Sequence, residues 1–300
     1  MKQKLTFCSV IFPGQVQEKN SLSLAESIRA FGGRFYTNPI WFFLPEGGRQ
    51  LTGGAQQRLQ ELGVSLIPLI MDREGSEFFF KRRLAGLAQV ERMSEGETEI
   101  LAWMDANTIL LAEPVDFTLP AGKSLAYCPV HHLLLGSRFD QPLDPFWTQI
   151  YQRCQVPQEK VFPMKPVIED LQMRPYINAG LLVVRPEKGL LAKWYETFLS
   201  LYQLPVFQAF YEQDQRYAIF MHQAVLAGVV LSYLEYAELC ELPHSYNYPL
   251  HLYEQHQASH RPSSLDQLVT IRYENFSQEA GWAQKIPGSK RRVKWLTERV

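Results

Sequence analysis

The feature that most constrains this chain is the regular alternation, in its first hundred residues, of short β-rich apolar runs with amphipathic helical stretches. LTFCSVIF reads as a first strand, and SLSLAESIRAFGG as a helix capped by Ser21 or Ser23 and stopped at Gly32-Gly33. PIWFFLP, AQQRLQELG and VSLIPLI continue as strand, helix and strand. Such an order, β-α-β-α-β, predicts a mostly parallel sheet covered on both faces by helices, with right-handed crossovers. The loops that follow the strands then lie along one edge, where open α/β sheets bind ligands.

A helix over about Phe78 to Arg92 and the polar loop SEGETE follow, and then EILAWM runs directly into Asp105. Beyond it, TILLAEP, SLAYCPV and AGLLVVRP read as strands, and PFWTQIYQRC, Lys188 to Gln203 and HQAVLAGVVL as helices. From about Ser259 the chain is more polar, with one strand-like piece, LVTIRYENF, and a basic patch at Lys290-Arg291-Arg292. With 300 residues, 46% of them hydrophobic, and no repeat or linker, residues 1–300 are expected to form one domain with a less regular tail from about 259.

Charge and cysteine usage narrow the function. Thirty Lys and Arg against 31 Asp and Glu leave a formal net charge of -1, which gives no field to draw the protein onto nucleic acid or an anionic membrane. Cys8, Cys128, Cys154 and Cys240 lack the spacing of a zinc site or redox dithiol and read as reduced core thiols. The apolar start is short and ends at Pro13-Gly14, and QAVLAGVVLSYL falls below the roughly 18 apolar residues that would cross a bilayer. The expectation is a cytoplasmic protein with no transmembrane segment, acting on a small ligand.

The central constellation is Asp105-Ala106-Asn107, where a buried apolar strand ends abruptly. Alternate residues point the same way, so the carboxylate of Asp105 and the amide of Asn107 can converge as hard oxygen ligands for Mg²⁺ or Mn²⁺. The same residues also suit a plain turn, and the motif alone does not separate the two readings. LAWMDANTILLAEP, YINAGLLVVRPEKGLLAKW and HQAVLAGVVL, in that order, resemble GT-A glycosyltransferases of the glycogenin and lipopolysaccharide galactosyltransferase type over most of the chain up to about residue 250.

What the resemblance implies is a GT-A fold, with a Rossmann-like mostly parallel sheet flanked by helices, that transfers a sugar with retention of configuration from a nucleotide-sugar, UDP-linked, to an acceptor the sequence does not identify. Asp105 matches the first aspartate of the DxD motif, and Asn107 replaces the second, the principal metal ligand. Asn178 matches the asparagine that bonds the donor sugar, Gly180 the small residue beside it, and Gln223 the glutamine under the sugar. His222 replaces an aspartate. Lys81 stands near the position of a basic phosphate contact, and only one of Lys81, Arg82 and Arg83 can face a given direction. Phe12 and Pro13 follow the first strand, where the nucleotide is expected.

The late metal-binding histidine has no counterpart, and Arg272 or Tyr273 is nearest its place. Arginine does not ligate metals, but its fork of donors can neutralise a diphosphate. A weakened or dispensable divalent-metal site is therefore expected, with Arg272 as a substitute charge and His244 as another ligand to consider. The departures at Asn107, His222 and the late strand leave a second reading open, a non-catalytic GT-A-like protein that binds nucleotide or carbohydrate. A nucleotidyltransferase is disfavoured, because no glycine-rich basic signature accompanies the first strand. Among the aromatics Trp147, Tyr151, Trp194, Tyr246 and Tyr248, the last two flank Asn247 in an expected loop and are read as the acceptor side. His131-His132 reads as a polar loop or core pair.

Overall fold

The computed structural model describes residues 3–46, 50–70, 79–274 and 286–299. Seven strands, β1 (Leu5–Val10), β2 (Ile40–Pro45), β3 (Val64–Leu69), β4 (Ile100–Met104), β6 (Leu125–Pro129), β7 (Ile177–Val184) and β8 (Leu239–Glu241), form one sheet in the order β3-β2-β1-β4-β7-β6-β8. β1 with β2, β2 with β3 and β6 with β8 are parallel, whereas β6 and β7 run antiparallel. A second sheet of three short strands, β5 (Thr108–Leu110), β9 (Tyr248–Pro249) and β10 (Thr270–Arg272), has the order β5-β10-β9. This mostly parallel α/β sheet with flanking helices is consistent with a GT-A-like glycosyltransferase fold. Every residue of β1, β4 and β7 is buried, as continuous apolar runs require in a sheet covered on both faces.

The chain packs as two compact units, each assembled from separate stretches. The first comprises Met1–Ile70, Ala102–Thr118 and Leu242–Val300. It holds α1 (Gln15–Phe31), α2 (Gly53–Glu61) and a C-terminal helix, α8 (Lys290–Arg299). α1 begins at Gln15, six residues before the expected cap, so Ser21 and Ser23 lie inside the helix. The serines are there for packing. Ser27 Oγ donates to the Leu24 carbonyl at 2.7 Å and accepts from Leu110 N at 3.0 Å, tying α1 to β5. The basic patch opens α8 and helps dock it on α1: Arg291 lies 5.2 Å over the Phe31 ring, and at the far end of the helix Arg299 pairs with Glu26 at 2.6 Å.

The second unit comprises Met71–Leu101 and Leu119–Glu241. Its helices are α3 (Phe79–Ser94), α4 (Pro145–Arg153), α5 (Leu190–Leu201), α6 (Pro205–Gln213) and α7 (Gln215–Tyr233). Asp144 caps α4 by accepting from Trp147 N at 2.9 Å, with Pro145 at the first helical position. α6, which Pro205 opens, was not expected from the sequence. α7 extends HQAVLAGVVL in both directions and is buried from Met221 to Leu231. Among the described residues no helix is long and apolar enough to cross a membrane.

Candidate active site

In the first unit, β4 ends at Met104 and the chain turns through Asp105-Ala106-Asn107 into β5, with Thr108 N donating to the Asp105 carbonyl at 3.0 Å. β5 leaves the main sheet and pairs antiparallel with β10, placing Thr108 opposite Arg272. That register brings the guanidinium to the carboxylate: Arg272 Nη1 donates to Asp105 Oδ2 at 2.6 Å, and its Nε donates to Glu274 at 3.2 Å. Asp105 and Arg272 are largely buried, and Asn107 is half-buried. Burial opposes the charge on Arg272, yet Asp105 and Glu274 together hold its pKa above the ordinary arginine value. Phe12 and Pro13 follow β1, which lies beside β4 where the chain order along the sheet reverses. Such a switch point is where open α/β sheets take ligands.

These residues do not fit a divalent cation. The Asp105 carboxylate already accepts a hydrogen bond from a permanent cation, and its neighbour Asn107 supplies an uncharged amide. Among the described residues no group of three or more His, Cys, Asp and Glu is placed to hold a metal. His244 is exposed, and Tyr273 turns its hydroxyl to Asn20 Oδ1 at 2.9 Å. Asn275 and Phe276, the end of the expected late strand, lie outside the described residues.

In the second unit, the β6–β7 ladder slips, so that Tyr127 pairs with Leu182 but Pro129 pairs with Ile177. The slip takes Asn178, Ala179 and Gly180 out of register, and buried side chains bond three of the backbone groups there. Gln223 Oε1 accepts from Ala179 N at 3.0 Å, Asn178 Oδ1 accepts from Gly180 N at 2.8 Å, and Arg83 Nη2 donates to the Ala179 carbonyl at 2.5 Å. The Asn178 amide also approaches His131 Nε2 at 3.4 Å. Asn178 and Gln223 thus come together, each 8% exposed.

Of the three adjacent basic residues, Arg83 is the one that turns inward, while Lys81 is half-buried. The signal was present in the sequence: Phe80, Arg83, Leu84, Leu87 and Glu91 share one helical face. His222 stacks on Phe80 with centroids 3.9 Å apart, and its Nδ1 donates to the Ile219 carbonyl at 2.9 Å. That is the geometry of a packed core histidine.

The acceptor reading of Tyr246 and Tyr248 is corrected by their burial, 1% exposed each. Tyr246 packs on Phe117 and accepts from Asp116 N at 3.1 Å, and Tyr248 lies in β9 with its hydroxyl 3.0 Å from His256 Nδ1. Neither ring has a face left for a sugar. Trp194 is buried as well, with its indole N–H donating to the His222 carbonyl at 2.8 Å.

Residues 7–233 match the Rhodobacterales glycosyltransferase domain. The chain belongs to this glycosyltransferase family. No curated protein matches it. The glycosyltransferase match includes Asp105, Asn107, Asn178 and Gln223, whereas β9, β10 and α8 lie beyond it. Arg272, the partner of Asp105, is therefore contributed from outside the matched span of the domain.

Proposed function

We propose that this glycosyltransferase takes its sugar from a nucleotide-diphospho-sugar, a uridine derivative, and that Arg272 rather than a divalent cation meets the diphosphate. The observation that carries the reading is the 2.6 Å contact of Arg272 with Asp105 at the end of β4, a permanent cation where the resemblance expects a metal. Nη2 of Arg272 has no hydrogen bond among the described residues and is the donor assigned to diphosphate oxygens. As the glycosidic bond breaks, negative charge grows on the leaving group, and a preorganised guanidinium lowers that barrier electrostatically.

Phe12 and Pro13 are assigned to the nucleoside, and Lys81 to a phosphate or sugar oxygen. Asn178 and Gln223, which hold the Ala179–Gly180 amides in place, are assigned to the wall that orients the sugar, with His222 packed behind them. Cytoplasmic location belongs to the same proposal, since Cys8, Cys128, Cys154 and Cys240 are thiols rather than disulfides.

Calorimetric titration with UDP and GDP, in Mn²⁺ or in EDTA, tests the reading on the wild type and Arg272→Gln. UDP is expected to bind equally with and without metal and at least about tenfold more weakly to the variant, the loss of a charge-assisted hydrogen bond. Manganese-dependent binding that disappears in Asp105→Ala would return the site to a metal. Absence of nucleotide binding in every condition would reject the donor assignment. Tight binding without hydrolysis or transfer would favour the non-catalytic reading.

A further inference from the structure

A cavity of about 460 Å³ lies in the second unit, lined among others by Phe139, Tyr151, Gln152, Gln158 and Arg174. Its size is that of a small-molecule site, for which roughly 300–1,000 Å³ is usual. The walls come from the segment after β6, from α4 and the chain behind it, and from Arg174 ahead of β7. Since Pro129 at the end of β6 pairs with Ile177 at the start of β7, these segments gather at the sheet edge that carries Asn178. Aromatic contacts run from the cavity toward β7. Tyr151 meets Trp147 at 5.9 Å, and Trp147 meets Tyr176, the residue before β7, at 5.3 Å.

Two side chains of the cavity are incompletely satisfied by the fold. Among the described residues the Tyr151 hydroxyl is buried without a hydrogen-bond partner, on a residue only 8% exposed. Arg174 directs Nη1 to Ser137 Oγ at 3.0 Å and to the Arg138 carbonyl, and Nη2 to the Gln141 carbonyl at 2.7 Å. All three acceptors are uncharged, and among the described residues the Nε–H and the second Nη2–H remain open. The guanidinium carbon lies 5.9 Å from the centroid of the Phe139 ring. A cation with two open donors calls for an anion that accepts from both, and a carboxylate does so. Beside it, aromatic rings and the amides of Gln152 and Gln158 suit the faces and hydroxyls of a sugar.

We propose that this cavity is the acceptor pocket and that it takes a carboxylate-bearing sugar, with the carboxylate on Arg174 and the Tyr151 hydroxyl as a further polar contact. The acceptor role rests on the glycosyl-transfer reading. The binding chemistry does not. It is tested on the full chain by calorimetry with methyl β-glucuronoside and methyl β-glucoside, alongside UDP. The glucuronoside is expected to bind at least about tenfold more tightly than the glucoside, and Arg174→Gln to abolish the difference.

Because Arg174 also ties its own loop, Tyr151→Phe is the second variant. It removes a hydroxyl that has no hydrogen-bond partner among the described residues, so melting is not expected to fall, while glucuronoside binding weakens severalfold. Equal binding of the two glycosides, no binding of either, or full affinity in Tyr151→Phe would overturn the proposal. UDP binding without glucuronoside binding rejects the pocket alone, and glucuronoside binding without UDP binding rejects the donor assignment alone.

Discussion

At the scale of the residue, the chemistry turns on which polar atoms the fold satisfies and with what. Asp105 is met by Arg272, 167 positions away in the chain, so the acid expected to hold a metal is neutralised by a guanidinium. Asn178 and Gln223, expected to touch a sugar, direct their oxygens to backbone amides released by the slipped β6–β7 ladder. Arg83 completes that arrangement on the carbonyl side. Arg83→Met would remove the charged donor to the Ala179 carbonyl, for which we expect a loss of about 1.5–3 kcal/mol. Urea denaturation of the variant measures it. An unchanged midpoint would show that water or a neighbour replaces the guanidinium.

At the scale of the element, α5 is held by a carboxylate from another helix. Glu91 on α3, 2% exposed, accepts from Leu191 N at 3.0 Å and from Ala192 N at 2.7 Å in the first turn of α5. Burial pushes its pKa up to about 7 from 4.5, against the pull of those amides. With the folded value raised, the folded state binds more protons than the unfolded one between those limits. Its contribution is therefore full below about pH 4.5 and is lost as pH rises through 7. Relative to Glu91→Gln, wild-type stability is expected to fall by up to roughly 3 kcal/mol from pH 4.5 to above 7, read by urea denaturation across that range. Parallel pH profiles for the two proteins would show that Glu91 stays charged throughout. Neither the buried Glu91 nor the buried Arg83 could be assigned a partner from the sequence, although both lie on the apolar face of α3, because α5 and β7 approach only in the tertiary structure.

At the scale of the whole molecule, the thiols are a direct readout of packing. Burial pushes the Cys8 and Cys128 thiols well above their ordinary range and Cys154 up to about 12, whereas Cys240 is half-buried. Titration with a coloured disulfide reagent is expected to modify Cys240 first in the native protein and all four cysteines in denaturant. A second native thiol reacting as fast would mean that a core strand opens. The sequence by itself determined the strands β1 to β4, the helices between them and the abrupt stop at Asp105, because periodicity and turn chemistry act over a few residues. It also carried enough of the pattern for a glycosyltransferase to be expected, as the family match bears out. Only the tertiary structure decided that β5 leaves the main sheet for β10, that β7 runs against β6, that Tyr246 and Tyr248 are core, and that Arg272 meets Asp105. Those are pairings between distant segments, and a local pattern does not specify which of many apolar strands or buried charges will find one another when the core closes.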